Sequence, residues 1–243
     1  MSQKRKIAGI IMAAGKGSRM HPLTLTIPKP LAKVNNRTLL EINMERMLPL
    51  VDYFVIVINY LGSQIHNCIG DSFCGKKVFY VDSLSPVTGS LGAFRFGVFA
   101  NENTIDSDYI LSNSDNILGL EFYDLFSRQI YSDRTKVCFM AYPELDKEKL
   151  KSQGVFQVDE NSNLVKIVEK SSVFVSNLSN VGLYYWPNSI KNLINTIPKV
   201  NDKEELITDL MNQYLELSTI KILTCADYYY SLSTIKDLTI ARV

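Results

Sequence analysis

Residues 13–34 of the chain read AAGKGSRMHPLTLTIPKPLAKV and directly follow its first apolar run. Gly15 and Gly17 allow the backbone to turn sharply and to bring its N–H groups close to a ligand, which suits phosphate oxygens. Arg19 offers a planar set of donors for phosphate, and Lys29 carries a compact charge between two prolines that restrict its backbone. The two glycines alone are equally typical of a plain strand-to-helix turn, and the stretch has neither Walker A spacing nor the third glycine of the dinucleotide fingerprint. Together with the charges and the prolines, they indicate a phosphate site after a buried strand.

Strand-like and helix-like segments alternate along the chain. Short runs rich in Ile and Val predict buried strands over KIAGIIMA, YFVIVIN, KVFYV, DYILS and TKVCFMAY. Helices are predicted between them over TLLEINMERML, SQIHNCI, GSLGAFRFGVFA and LEFYDLFSRQI, the first with Thr38 as N-cap and Glu41 three residues on. The pattern loosens after Ala141, where GVFQVD, NLVKIVE and VGLYYW predict strands and KEELITDLMNQYLEL predicts a helix. Without a linker or a repeat, we expect a single α/β domain over residues 1–243.

The alternation of strands and helices predicts βαβ units, and therefore a Rossmann-like, mostly parallel sheet with helices on both faces. Ligands of such a sheet bind at the carboxyl ends of the strands. We therefore expect the loops after the first strand, before the GSLGAF helix and after DYILS to meet at one site.

The composition excludes several classes of protein. With 26 Lys and Arg against 25 Asp and Glu, nothing suggests electrostatic binding to nucleic acid or to a membrane surface. The four cysteines form no CxxC pair, so we expect free thiols in a reducing cytoplasm rather than a zinc site or a disulfide framework. The basic start and the apolar run over residues 7–14 are similar to a secretory signal, but a buried strand explains the short run better. No apolar stretch is long enough to predict a membrane span.

The opening stretch as a whole resembles the N-terminal signature GxGxRMxPLTxxxPKPLxKV of the sugar-1-phosphate nucleotidylyltransferases. The matching positions are Gly15, Gly17, Arg19, Met20, Pro22, Leu23, Thr24, Pro28, Lys29, Pro30, Leu31, Lys33 and Val34. Later segments resemble the family as well: SPVTGSLGAFRFG, ILSNSDN, SQGVFQVDENSNLVKIVEKSS, SNVGLYYW and KEELITDLM. The resemblance implies the nucleotide-diphospho-sugar transferase fold and covers nearly the full chain.

The family joins a nucleoside triphosphate and a sugar 1-phosphate to give a nucleotide sugar and pyrophosphate, and the resemblance implies a role for each matched residue. Arg19 and Lys29 would be catalytic, holding the triphosphate and neutralising charge on the reacting phosphate. The nucleotide would be bound by Ala13, Ala14, Gly15, Gly17, Gly89 and Asp115. The sugar phosphate would be bound by Gly154, Glu169, Lys170 and Asn180, with Lys170 on the phosphate. Asp115 would also hold Mg²⁺, which prefers oxygen ligands. Outside their motifs, Asp115 would be a turn cap and the Glu169–Lys170 pair a pair of surface charges.

The chain departs from the family at two places. Ser114 stands where the family has a glycine before the metal-binding aspartate, and Ser231 stands where many members have a second metal-binding aspartate. Asp227 lies four residues too early to take that place. The metal would then rest on Asp115 and the triphosphate, a carboxylate from elsewhere would substitute, or the chain would bind ligands without catalysis.

Three rival functions stay open at this point. A phosphocholine cytidylyltransferase shares a similar N-terminus, and a glycosyltransferase would share the sheet without needing the PKP loop. A sensor would bind nucleotide without releasing pyrophosphate. The nucleobase, the sugar and the oligomeric state, a homo-oligomer included, are left undetermined.

Overall fold

The structure is a computed structural model that describes residues 5–83, 89–197 and 205–241 of the chain. Residues 85–88, the SPVT of the predicted loop, and residues 203–204, at the start of KEELITDLM, lie outside the described residues. Every site residue implied by the resemblance lies within them.

The strands and helices are close to the predicted ones. The strands are β1 (Ile7–Met12), β2 (Lys33–Val34), β3 (Arg37–Thr38), β4 (Tyr53–Ile58), β5 (Ser72–Phe73), β6 (Lys76–Asp82), β7 (Asp108–Asn113), β8 (Asn116–Leu118), β9 (Cys138–Pro143), β10 (Gly154–Val158), β11 (Leu164–Glu169), β12 (Leu178–Trp186), β13 (Lys221–Thr224) and β14 (Tyr229–Ser231). The helices are α1 (Leu39–Met47), α2 (Gly62–Ile69), α3 (Gly89–Val98), α4 (Glu102–Ile105), α5 (Leu120–Ser132), α6 (Lys147–Leu150), α7 (Ile190–Thr196), α8 (Ile207–Leu215) and α9 (Ile235–Ile240). Three 3₁₀ turns, Ser18–Met20, Leu23–Leu25 and Lys29–Leu31, follow β1.

The central sheet is mixed. Its strand order is β11-β10-β12-β7-β1-β4-β6-β5, with β9 on the other edge of β12 and β13 beside β9. The strands β7, β1, β4 and β6 run parallel, as the alternation predicts. β12 runs antiparallel to β7 and to β9, which explains why the pattern loosens in the second half. The parallel part therefore places the carboxyl ends of β1, β4, β6 and β7 at one edge.

Helices cover both faces of the sheet, as predicted. Ile10 and Ile11 are both fully buried and belong to different core clusters, because consecutive strand residues point to opposite faces. On one face the core contains residues of α3, α7 and α8, and on the other face residues of α1 and α5. None of the described helices has both the length and the apolar composition needed to cross a bilayer.

The start of α1 confirms the predicted cap. The Thr38 hydroxyl accepts a hydrogen bond from Glu41 N, and the Glu41 carboxylate accepts one from Thr38 N at 2.8 Å. This capping box satisfies two N–H groups that a helix start otherwise leaves unpaired. The helix then packs Leu40, Met44 and Met47 against the sheet.

Candidate functional site

A cleft of about 580 Å³ lies at the carboxyl edge of the parallel strands. Its walls come from the residues that directly follow β1, β4, β6 and β7, together with the start of α3, as the topology of such a sheet predicts. The lining residues are Met12, Ala14, Gly15, Lys16, Gly17, Ser18, Arg19, Lys29, Pro30, Asn59, Ser83, Gly89, Ser90, Ala93, Asn113, Ser114, Asp115 and Ser233. The loops after β1 and β7 meet here, as expected, at the start of α3, whereas residues 84–88 of the third loop lie outside the described residues.

The loop after β1 is held in a fixed shape. Ala13 is buried, and its N–H donates to Val57 O at 2.9 Å, so it anchors the loop rather than lining the cleft. Gly17 has a φ of 63°, and the buried Thr24 hydroxyl donates to its carbonyl at 2.8 Å. A Cβ on Gly17 would lie 3.0 Å from the Lys29 Cβ, so this turn packs directly on the lysine stem. Gly15 faces open space, which leaves its backbone accessible to a ligand.

Basic side chains dominate one wall of the cleft. Lys16 and Arg19 are exposed, whereas Lys29 is 8% exposed and projects from the 3₁₀ turn between the two prolines. The Lys29 ammonium lies 2.6 Å from Asp115 Oδ2, which joins the basic loop to the loop after β7. This wall offers three cations and open backbone N–H groups, which suits a polyphosphate.

Gly89 begins α3 and lines the cleft, and its conformation has a steric cause. Its φ is 61°, and a Cβ there would lie 2.3 Å from the Glu205 carbonyl oxygen. Leu91 N donates to the same oxygen at 2.9 Å, and the Ser90 hydroxyl accepts from Ile207 N. The approach of residues 205–207 therefore requires a glycine at this position, whatever the ligand.

The loop after β7 is connected to its neighbours on both sides. The buried Ser114 donates its hydroxyl to Met12 O at 2.7 Å, and the Asn116 amide donates to Val181 O at 2.8 Å. Asn116 also pairs with Ser231 across the antiparallel ladder of β8 and β14, and Leu232 N donates to Asp115 O. These bonds hold Asp115 in the short loop after β7, and Ser231 lies opposite its neighbour Asn116.

Of the four residues implied for the sugar phosphate, Gly154, Glu169 and Asn180 lie on β10, β11 and β12, and Lys170 directly follows β11. None of them is among the residues that line the main cleft. Glu169 Oε1 lies 2.8 Å from the point that a Cβ on Gly154 would occupy, so these two residues face each other. Lys170 has a φ of 46°, and its N–H donates to Gln153 O. Asn180 sits at an irregularity in β12, where its side chain accepts from Gly182 N.

Electrostatic interactions connect this group to Asp115. Burial raises the pKa of the Tyr184 hydroxyl, a hydrogen bond with Asn180 opposes this, and the charges of Glu169 and Asp115 add to the increase. Partial burial likewise raises the pKa of the Glu169 carboxyl, although Lys170 lowers it. Glu169 is nonetheless an exposed residue, and its carboxylate faces Gly154. The buried Tyr184 hydroxyl is therefore hydrogen-bonded with Asn180 and lies within electrostatic range of Glu169 and Asp115.

A smaller cavity of about 190 Å³ adjoins the main cleft at Ser233. Gln153, Tyr229 and Ser231 contribute to its lining. Burial raises the pKa of the Tyr229 hydroxyl, a hydrogen bond with Ser231 opposes this, and the Asp115 charge adds to the increase. The Ser231 hydroxyl, which lines the smaller cavity, is therefore engaged with Tyr229.

The two aspartates nearest to Ser231 in the sequence are engaged elsewhere. Asp227 accepts hydrogen bonds from Tyr228 N and from Glu121 N at the start of α5. Asp237 caps α9 and accepts from Thr234 N at 2.6 Å. Within the described residues, no group of three or more His, Cys, Asp or Glu side chains could hold a metal. A metal here would have Asp115 as its carboxylate and would need a ligand's oxygens to complete its shell.

Several residues that line the main cleft were not predicted as site residues from the sequence. Asn59, Ser83, Ser90, Asn113 and Ser233 are short polar side chains in the cleft wall. Asn59 ends the predicted strand YFVIVIN, and Ser83 and Asn113 follow the predicted strands KVFYV and DYILS. Their place at a strand end is the feature that could have indicated them.

Comparison with known proteins identifies the family of the chain. The model of the family described as nucleotidyl transferase matches residues 8–229. The bifunctional protein GlmU of Methanococcus aeolicus is 26% identical over 94% of this chain and 52% of its own length. The UTP–glucose-1-phosphate uridylyltransferase AglF of Haloferax volcanii is 24% identical over 84% of this chain and 81% of its own. A probable mannose-1-phosphate guanylyltransferase of Oryza sativa is 28% identical over 80% and 54%. The chain spans about half the length of GlmU and of the rice relative.

Solved structures share the fold. A putative glucose-1-phosphate thymidylyltransferase from Bacillus anthracis superposes with a TM-score of 0.85 at 18% identity, over 96% of this chain and 93% of that one. A UDP-glucose pyrophosphorylase complexed with UDP-glucose gives 0.82 at 17% identity, over 97% and 96%.

Proposed function

The chain belongs to the nucleotidyl transferase family, and we propose that it joins a nucleoside triphosphate to a sugar 1-phosphate, giving a nucleoside-diphosphate sugar and pyrophosphate. The observation that carries this proposal is the main cleft. There Lys16 and Arg19, on the open loop after β1, lie beside the Lys29–Asp115 pair. Relatives named as uridylyltransferase and guanylyltransferase of sugar 1-phosphates support it.

The triphosphate would lie along the basic wall. In this reaction an oxygen of the sugar phosphate attacks the α-phosphorus in line with the departing pyrophosphate, so the protein contributes mainly positioning and charge stabilisation. Arg19 would hold the triphosphate and stabilise the leaving pyrophosphate, and Lys29 would neutralise charge on the α-phosphate. The backbone of Gly15 and Gly17 would contact phosphate oxygens.

The sugar phosphate would lie on the side of β10, β11 and β12. The Glu169 carboxylate would accept hydrogen bonds from sugar hydroxyls, and the Asn180 amide would donate to them. Lys170 would hold the incoming phosphate against charge repulsion. Lys170 adopts the left-handed backbone region, which costs a residue with a side chain about 1–2 kcal/mol. Strain of this kind is concentrated at functional sites, which supports a role for the Glu169–Lys170 segment.

Members of this family usually require a divalent metal ion, and we propose Mg²⁺ for this chain. Asp115 would hold it together with the triphosphate, since Mg²⁺ is commonly bound by one or two carboxylates and substrate phosphates. Bound in that way, the ion would supply neutralising charge to the phosphates. The exposed thiols of Cys68 and Cys74 fit a reducing compartment, and we propose a cytoplasmic location.

The direct test measures pyrophosphate release by the purified chain with Mg²⁺, each common nucleoside triphosphate, and a panel of sugar 1-phosphates plus phosphocholine. Release with one pair of substrates identifies both of them. Lys29→Ala should lower kcat/KM by roughly 10²–10³-fold, as for loss of a group that stabilises developing charge. The matched control is Lys136→Ala, which changes an exposed lysine on the loop between α5 and β9. It should keep full activity.

The rival functions correspond to other outcomes of the same assay. Release with phosphocholine and one triphosphate would indicate a phosphocholine cytidylyltransferase. Triphosphate binding without release across the panel would contradict the proposed activity and favour a binding protein, a reading that the neutral Ser231 supports.

A further inference from the structure

Gln153 lies where the segments that carry the implied sugar-phosphate residues come together. It directly precedes Gly154, the first residue of β10, and its N–H donates to Leu150 O at the end of α6. Its carbonyl oxygen accepts from Lys170 N at 3.1 Å, and its side-chain Oε1 accepts from the Ser179 hydroxyl at 2.6 Å. Gln153 is therefore bonded both to the residue that follows β11 and to β12.

The bond between Gln153 and Ser179 is sheltered from solvent. Ser179 is fully buried and directly precedes Asn180, where the pairing of β12 becomes irregular. It also lies opposite Val155 in the ladder between β10 and β12. Because the Ser179 hydroxyl is buried, the loss of its acceptor costs more than the loss of a bond at the surface. The bond therefore fixes the strand of Asn180 to the start of β10.

The Ser179 hydroxyl extends this contact to the smaller cavity. It is hydrogen-bonded with the Tyr229 hydroxyl, which is also hydrogen-bonded with Ser231. Gln153, Tyr229 and Ser231 all line that cavity, which adjoins the main cleft at Ser233. A row of neutral hydrogen-bonding groups thus joins Gln153 to β14. Buried networks of this kind hold their members in one arrangement.

The backbone bond to Lys170 acts on the other side of Gln153. Lys170 has a φ of 46°, a conformation that residues with a side chain rarely adopt, and its bond to Gln153 O helps to hold it there. Glu169, the residue before it, lies opposite Gly154 in the ladder between β10 and β11. A displacement of Gln153 would therefore move both Gly154 and Lys170.

We propose that Gln153 is a positioning residue for the sugar phosphate and holds the segments of Lys170 and Asn180 at a fixed separation. Its contacts stand on the geometry alone, and its effect on the substrate rests on the proposed function. The side chain acts through its bond to Ser179 rather than on the reacting atoms. Small displacements of substrate-holding groups lower the rate of such a reaction strongly, which is why this bond should matter.

The experiment compares two variants that break the bond with one that breaks a similar bond elsewhere. Gln153→Met keeps the length of the side chain and removes the acceptor, and Ser179→Ala removes the donor. The matched control is Ser107→Ala. Ser107 is 1% exposed, and its hydroxyl is hydrogen-bonded with the Tyr53 hydroxyl at 2.8 Å. It directly precedes β7, at the edge of the sheet opposite the main cleft.

The first arm measures kinetics with the substrate pair that the pyrophosphate assay identifies. Gln153→Met should raise the KM for the sugar phosphate roughly tenfold and change the KM for the triphosphate by less than about twofold. Ser179→Ala should do the same, and the double variant should lose no more than either single variant, because all of them remove one bond. Ser107→Ala should lower the thermal midpoint to a similar extent and leave both KM values unchanged. An equal rise of both KM values in Gln153→Met, additive effects in the double variant, or the same rise in Ser107→Ala would overturn the proposal.

The second arm needs no substrate. Amide hydrogen exchange, measured by mass spectrometry on peptides that cover residues 168–172 and 178–182, reports local opening of these segments. Exchange in both should be roughly fivefold faster in Gln153→Met than in the wild type, and unchanged in Ser107→Ala. A thermal denaturation curve of each variant confirms that it is folded at the temperature of the assay. Unchanged exchange in the folded Gln153→Met variant would overturn the proposal.

These outcomes are separate from those of the pyrophosphate assay. Pyrophosphate release with an unchanged KM for the sugar phosphate in Gln153→Met would leave the proposed function intact and remove the positioning role. Lack of release by the wild type, together with faster exchange in Gln153→Met, would remove both the proposed function and the substrate role of Gln153, and would leave its contacts as structural ones.

Discussion

The hydroxyl of Ser114 donates a hydrogen bond of 2.7 Å to the carbonyl oxygen of Met12, and so ties the end of β7 to the end of β1. The resemblance implies a glycine at this position in the family, and a glycine could not donate this bond. It holds the residue before Asp115 against the strand that leads into the phosphate loop. The side chain is buried, with 7% of its surface exposed.

Ser114→Ala should therefore lower the free energy of unfolding by about 1 kcal/mol, since it leaves the Met12 carbonyl without this donor. Urea unfolding measures the change. Ser132→Ala removes a hydroxyl–carbonyl bond of 2.8 Å at the exposed end of α5 and should change stability much less. Equal effects of the two variants would show that the Ser114 bond has no special value.

Gly89 and Gly15 both line the cleft but should respond in opposite ways to alanine. Gly89→Ala places a Cβ against the Glu205 carbonyl at a φ of 61° and should destabilise the fold by about 2 kcal/mol or more. Gly15→Ala adds a Cβ that meets nothing within 4 Å. It should leave thermal unfolding unchanged and weaken triphosphate binding, because the methyl group enters the cleft. A stable Gly89→Ala variant with lost nucleotide binding would contradict the packing explanation.

The capping carboxylate of α1 should make stability depend on pH. Partial burial raises the pKa of Glu41, but hydrogen bonds from the Thr38 N–H and hydroxyl outweigh it and hold the pKa below its ordinary value of 4.5. The unfolded chain therefore binds this proton more readily, and stability rises with pH across this range. The contribution is complete above pH 4.5 and is lost as the pH falls through the lower pKa of the folded protein.

Glu41→Gln should flatten the loss of stability that the wild type shows between about pH 5 and about pH 3. Urea midpoints at several pH values measure the slope. Glu160→Gln, at an exposed carboxylate on the turn between β10 and β11, is the control and should keep the wild-type slope. An unchanged slope in Glu41→Gln would mean that the capping box does not carry the pH dependence.

The parts of the site that could be predicted depend on local chemistry and on parallel topology. Lys29 and Asp115 are 86 residues apart, yet both follow buried parallel strands, and such strands end at one edge of a sheet. The conformations of Gly17 and Lys29 follow from glycine and proline chemistry in the immediate sequence.

The features of the site that could not be predicted depend on pairings between distant segments of the chain. The irregularity in β12 at Asn180 arises where that strand pairs with β9, and no local pattern encodes it. The family pattern predicts a ligand contact at Gly89. The positive φ of Gly89 and the nearby Glu205 carbonyl give it a packing role as well. Ser90, in the first turn of α3, carries no local signal, because its hydrogen bond with Ile207 N joins segments 117 residues apart.

Asp227 lies four residues before Ser231, and we expect it to have a structural role. Its Oδ2 accepts from Glu121 N in the first turn of α5, and a Cβ on Gly119 would collide with the same carboxylate. A carboxylate at this place also interacts favourably with the positive end of the helix. Asp227→Ala should lower the free energy of unfolding by about 1 kcal/mol, whereas Asp227→Asn keeps an acceptor and should lose less. Neither variant should change the Mg²⁺ concentration needed for half-maximal pyrophosphate release. A several-fold increase of that concentration in both variants would instead make Asp227 the missing metal carboxylate.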